Sequence, residues 1–212
     1  KFARYLLDTP RCIAMPIGIY AGLEITGASV QAAVSDPKVQ ADAILALHKQ
    51  FDTIALLTAM DLSAEAEAFG CMVRMDDEEI PTVLGRRVTS LEEIAALAVP
   101  EVGAARTSVH LQTVRNLAAQ AGGIPILGGV IGPFSLAGRI FGVSEALEMS
   151  LSNPEALEVL VSKAARFLTA YVGAFREAGA AGVIMAEPTA GLLSPRGMGR
   201  FSSPYIRLII EA

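Results

Sequence analysis

Cysteine is almost missing from this chain, with Cys12 and Cys71 alone among 212 residues. They stand far apart, each beside apolar neighbours, and a disulfide framework needs more of them. A reducing, cytoplasmic setting is therefore expected, with both thiols as small core residues. Histidine is equally scarce: His48 and His110, taken with the two cysteines, show no ligand spacing for zinc. Long apolar runs are absent too. The apolar residues come in runs of about four to eight, well short of the roughly 18 that a membrane span requires. No basic start followed by an apolar stretch and a small-residue cleavage site is present, so no secretory signal is read. A net charge of −5 without a Lys/Arg cluster excludes nucleic acid as an expected partner.

What is present fits one α/β domain over residues 1–212. Hydrophobic residues make up 52% and charged residues 18%, too apolar for disorder. No internal repeat or low-complexity segment occurs. The chain starts at Lys1 inside a helical pattern (Lys1 to Leu7). It stops in an amphipathic pattern, Tyr205 to Ala212, with no Gly, Asn or Pro to end it. We expect a piece of a longer protein, truncated at both ends.

Apolar runs bounded by Gly and Pro predict main strands at Arg11 to Ile17, Thr53 to Leu57, Ile124 to Ile131 and Ala181 to Ala186. Gly18 to Ser29 reads as a loop with a short helical turn around Leu23. Asp36 caps, and Pro37 begins, a helix running to Gln50. Further helices are expected over Asp61 to Phe69, Leu91 to Leu97, Gly103 to Gln120, Phe134 to Phe141, Ser144 to Leu151, Pro154 to Ala178, and after Pro195. Cys71 to Met75 and Thr82 to Val88 read as a hairpin around a solvated acidic turn, Asp76 to Glu79. Strands alternating with helices argue for parallel βα units, either an open doubly wound sheet or a barrel. Periodicity does not choose between the two.

Two loops follow buried strands, where a parallel α/β enzyme places its chemistry. One is Gly132-Pro133-Phe134-Ser135-Leu136; the other runs from Glu187 to Pro195. Pro188 keeps Glu187 out of the α region, so its carboxylate emerges at the strand's mouth. There it is either an acid or base with a raised pKa or a group bonded to loop amides. Asp61 offers the same choice, between a helix N-cap and a carboxylate at the mouth able to pair with a cationic substrate. Thr189 and Ser194 bring hydroxyls, either to a ligand or to the next helix as caps. Arg139 is an anion-binding candidate or a solvated side chain. Gly128-Gly129 matches no phosphate-loop motif and reads as close backbone approach. His48 and His110 read as structural.

Taken together, these stretches resemble the uroporphyrinogen decarboxylase superfamily and, more closely, its cobamide-dependent methyltransferase branch. Gly132 to Ala137 is similar to that superfamily's Gly-Pro-Phe-Thr-Leu-Ala stretch. Ala178 to Ile184 leads into Glu187 to Pro195, then Phe201 and Pro204-Tyr205, the most specific block. Met60 to Gly70 resembles the segment carrying the decarboxylases' aspartate, which places Asp61 as its counterpart. The resemblance implies a (β/α)8 TIM barrel, with this chain as roughly its first half. It implies Asp61 as a catalytic residue; the reading of the residues adds Glu187 as a second catalytic candidate and Thr189, Arg139 and Ser194 as substrate-binding ones.

The decarboxylases bind a macrocycle bearing many carboxylates, through arginines in their first-strand loop. The matching stretch here, Pro16 to Gly22, has no cation, and the decarboxylases' tyrosine falls on Arg139. The resemblance therefore implies methyl transfer from a methylated corrinoid protein to a small thiol such as coenzyme M. The methyl donor would be a methylcobamide, and zinc would activate the thiol on ligands beyond residue 212. No metal site is expected within the chain, so the chain alone would be inactive. Uroporphyrinogen decarboxylase and a non-catalytic partner of a corrinoid protein are the alternatives. Unpaired sheet edges would favour homo-oligomers.

Overall fold

The computed structural model of the protein describes residues 15–212 together with Arg4, Leu7 and Asp8. From residue 15 onward, α1 (Tyr20–Thr26), α2 (Val30–Ser35) and α3 (Pro37–Phe51) precede β1 (Leu56–Leu57). Then come α4 (Ala64–Ala68), the hairpin β2 (Met72–Arg74) and β3 (Thr82–Leu84), α5 (Leu91–Ala96) and α6 (Thr107–Ala118). After β4 (Ile126–Ile131) the chain forms α7 (Pro133–Phe141), α8 (Val143–Ser152) and α9 (Pro154–Ala178). β5 (Gly182–Ala186), a 3-10 turn (Thr189–Leu192), α10 (Pro195–Phe201) and α11 (Ser203–Glu211) follow.

β1, β4 and β5 form a parallel sheet in the order β1-β4-β5, and β2 pairs with β3 antiparallel, as the hairpin pattern predicts. All six residues of β4 are buried, as expected for a central parallel strand covered on both faces. Its glycines make that cover possible. A Cβ on Gly128 would lie 2.7 Å from the Phe175 ring, and one on Gly129 2.5 Å from Met60 Sδ. α9 packs over the sheet and touches α6, α7 and α11, carrying the stack Phe167, Tyr171 and Phe175 into the core with Phe69 edge-on at its end. Asn153 caps it before Pro154, and Gly179 (φ 109°) ends it in the left-handed region. Asp36 and Pro37 open α3 in the same way, with Asp36 accepting from the Lys38 amide at 2.7 Å.

Several boundaries differ from those the sequence predicts. The expected loop over Gly18 to Ser29 is mostly helix: Gly27 (φ 72°) ends α1 and Ser29 caps α2 by accepting from the Ala32 amide. The strand expected from Thr53 starts only at Leu56. The Thr53 carbonyl is bonded to His48 Nδ1 at 2.9 Å, and pairing begins with the Leu56 amide on the Pro125 carbonyl. The helix expected from Asp61 begins at Ala64, and the one expected from Gly103 begins at Thr107, after left-handed Gly103 and Ala105. Most of the expected helix over Lys1 to Leu7, and the expected strand from Arg11 together with Cys12, lie outside the described residues. Met15–Ile17 form no strand. No helix among the described residues is long and apolar enough to cross a membrane.

Candidate functional site

The two loops singled out in the sequence meet at the C-terminal end of the sheet. Glu187, one residue beyond β5, turns its carboxylate onto the first turn of α7. Oε1 accepts from the Phe134 amide at 2.8 Å and Oε2 from the Ser135 amide at 3.0 Å, while Ser202 Oγ donates to Oε1 at 3.3 Å. These amides are the unpaired donors of a helix start, and the helix dipole favours a negative charge there. Gly132 makes the contact possible, because a Cβ on it would run into the Glu187 carboxylate. Burial pushes the Glu187 carboxyl above its ordinary range, and the Ser135 and Phe134 amides and the Ser202 hydroxyl pull the other way. Both oxygens are thus engaged, and taking up a proton would cost one of these hydrogen bonds.

Thr189 joins the same assembly through its backbone, its amide donating to Ser135 Oγ at 3.0 Å. Arg139 is half-buried in the last turn of α7, and among the described residues its guanidinium has no hydrogen-bond or ion-pair partner. Ser194 serves as the N-cap of α10, accepting from the Gly197 amide at 3.1 Å, and borders an outer cleft lined also by Leu147, Leu193, Arg196 and Phe201. Its hydroxyl oxygen accepts that amide, as the cap reading expects.

Asp61 lies in the loop after β1 and is 3% exposed. Its Oδ1 accepts from the Ser63 amide at 3.0 Å and from Ser63 Oγ at 2.6 Å, and its Oδ2 pairs with Arg106. This is a turn closed by a side chain, not a helix cap, since α4 starts beyond it. Arg106 divides its guanidinium three ways. The NH1 nitrogen goes to Asp61, Nε to Glu67 at 2.6 Å, and NH2 to Ser63 Oγ at 2.9 Å. The planar fork of Arg suits such shared binding.

Around this ion pair gathers a set of buried polar groups that sequence reasoning did not bring together. Glu65 is 2% exposed, and its Oε1 accepts from the Ile131 amide at 3.0 Å at the end of β4. Burial pushes its carboxyl up to about 7, and the nearby Asp61 charge adds to this against the Ile131 amide and Arg106. His110, one turn along α6 from Arg106, is 2% exposed. Burial draws it down to about 4, with Asp61 opposing and Arg106 assisting. The Tyr20 phenol is pushed up to about 12, first by burial and then by Asp61. Tyr171 is raised by burial and by Glu65 and Asp61, and its hydroxyl donates to the Thr107 carbonyl at 3.4 Å. A signal for the group was there: Asp61 and Glu65, and likewise Arg106 and His110, are spaced four apart, polar positions repeating within apolar segments.

No group of three or more His, Cys, Asp or Glu able to hold a metal occurs among the described residues. Cys71 is a free, buried thiol pushed by burial up to about 11, the opposite of what a nucleophile or metal ligand needs.

Residues 10–212 match the family described as Uroporphyrinogen decarboxylase (URO-D). The chain is 29% identical over 194 residues to the methylcobamide:CoM methyltransferase MtbA of Methanosarcina acetivorans, covering 90% of this chain and 57% of that protein. It is 28% identical over 174 residues to a uroporphyrinogen decarboxylase of Pseudoalteromonas atlantica, covering 77% of this chain and 47% of that one. A solved methyltransferase from Methanosarcina mazei superposes with a TM-score of 0.86 at 26% identity, covering 95% of this chain and 61% of its own. The chain thus spans roughly half to three-fifths of the length of these relatives. With that likeness, the three-stranded sheet and its helices are part of a (β/α)8 barrel.

Proposed function

The chain belongs to the uroporphyrinogen decarboxylase family, and we propose that within it the protein is a cytoplasmic, corrinoid-dependent methyltransferase. In this reading it moves a methyl group from a methylated corrinoid protein to a small thiol such as coenzyme M. The observation that carries the proposal is where the cations go. A substrate bearing many carboxylates needs free arginines in its cleft. Arg106, beside Asp61, is committed to Asp61, Glu67 and Ser63, and residues 16–22 contain no cation. Among the described residues the Arg139 guanidinium has no hydrogen-bond or ion-pair partner. The extent of the matches supports the same branch: the alignment to a methylcobamide:CoM methyltransferase covers 90% of the chain and that to a decarboxylase 77%.

In this proposal Glu187 and Asp61 frame the mouth above β5 and β1, and Thr189 and Arg139 line it. Arg139 meets an anionic group of the corrinoid or the acceptor. Zinc, which the resembling branch uses to activate its thiol, does not fit the described residues: they form no ligand group, and Cys71 and His110 are buried apart from any such set. The part of these residues is to bind and orient.

The test is incubation of the purified full-length protein, supplied with zinc, with methylcobalamin and coenzyme M, following loss of the cobalt–methyl absorbance and formation of the methylated thiol. Transfer above the protein-free rate supports the proposal. Turnover of uroporphyrinogen without transfer assigns the protein to decarboxylation. Stable binding of a methylated corrinoid protein with neither turnover assigns a non-catalytic partner.

A further inference from the structure

Three buried polar atoms near the Asp61–Arg106 pair have no hydrogen-bond partner among the described residues: Tyr20 Oη, Glu65 Oε2 and His110 Nδ1. Buried polar groups are paired with few exceptions, and three such atoms around one ion pair call for a common explanation. Glu65 is the most constrained. Its Oε1 accepts from the Ile131 amide, and its Oε2 has no partner among the described residues. The cation within reach is already engaged, since Arg106 directs its fork to Asp61, Glu67 and Ser63. A buried carboxylate supported only by backbone amides, those of Ile131 and of Glu65 itself, and with no cation of its own is too costly to keep ionised, and it takes up a proton instead. That proton then faces Oε2's surroundings, where no acceptor stands among the described residues.

We propose that this interior is a hydrated proton-binding site: Glu65 holds a proton on Oε2, and ordered water joins it, His110 Nδ1 and Tyr20 Oη to the Asp61–Arg106 pair. The ligand class is water, which bridges buried polar groups by making two to four hydrogen bonds. Neutral Glu65 then stands four residues from Asp61, whose carboxylate is paired with Arg106. The other groups bearing on Glu65 are known. Asp61, Arg106 and the Ile131 amide act on it directly, and Tyr171 of α9 feels its charge. Glu67 shares its helix, His110 and Tyr20 complete the orphaned set, and α7, packed against α4, carries one charged side chain, Arg139. The direction of the Glu65 shift agrees with the geometry. The inference does not rest on the methyltransferase reading, and neither of its tests uses activity.

The first test is infrared difference spectroscopy of the intact protein between about pH 5.5 and 8.5. A protonated-carboxyl band that titrates in this range and vanishes in Glu65→Gln is the expected result. No titrating band, or one that survives in E65Q, overturns the proposal. Should E65Q fail to fold, a high-resolution crystal structure of the unaltered protein decides. Water within hydrogen-bond distance of Glu65 Oε2 and His110 Nδ1 supports the site, and a dry cluster overturns it.

Discussion

Glu65 and His110 have opposite effects on the pH dependence of stability, and removing either one should expose the other. The folded protein raises Glu65 from 4.5 to about 7 and lowers His110 from 6.5 to about 4. Between about pH 4.5 and 7 the folded state therefore binds more protons than the unfolded chain at Glu65, so that group's contribution falls as pH rises. Between about pH 4 and 6.5 the folded state binds fewer protons at His110, and that contribution rises with pH. Each displacement is worth roughly 3 kcal/mol across its window, because both groups are fully buried. The two slopes nearly cancel in the unaltered protein. Glu65→Gln should therefore gain about 3 kcal/mol relative to the unaltered protein between pH 4.5 and 7. His110→Gln should lose a similar amount between pH 4 and 6.5. Urea denaturation followed by circular dichroism at a series of pH values measures both, provided that the m-value stays constant. Stability curves that run parallel to the unaltered protein's across the range would refute the reasoning.

Arg106→Met removes the cation paired with buried Asp61, and should destabilise by about 3–5 kcal/mol; adding Asp61→Asn should recover much of this, measured by denaturant midpoints. Gly132→Ala places a methyl against the Glu187 carboxylate and should cost about 1–3 kcal/mol, read as a fall in Tm; an unchanged Tm would mean that the contact yields freely. Arg139→Ala removes a side chain with no partner among the described residues. Its stability should stay within about 0.5 kcal/mol by the same assay, while binding of a methylated corrinoid falls.

The order of the elements was readable because the signals were local. Asp36-Pro37 and Asn153-Pro154 open helices, Gly179 closes one, and the apolar run of β4 reads as a covered strand. The Gly132 and Glu187 stretches were recognisable separately. That they are two halves of one contact was not, since a carboxylate capping a helix some fifty residues earlier leaves no local mark. Arg106 was missed for a similar reason: an arginine just after a Gly-Ala-Ala turn reads as a surface residue until Asp61, Glu67 and Ser63 are placed around it. The short β1 was overestimated because an apolar run does not reveal that His48 has claimed the Thr53 carbonyl.

The reach of α9 has a consequence for the order in which the molecule comes together. Residues 154–178 touch β4, β5 and every helix from α5 to α8 and on through α11, with Lys163 alone gathering the carbonyls of Ile94, Ala95 and Leu97. As the chain leaves the ribosome, all that precedes residue 154 emerges before the piece that covers it. β1, β4 and the intervening helices must wait half-covered, their aromatic and aliphatic faces open to solvent, until α9 arrives to close over them. Folding should therefore be limited by the docking of this one helix, so substitutions in the Phe167–Tyr171–Phe175 stack should slow refolding more than they hasten unfolding.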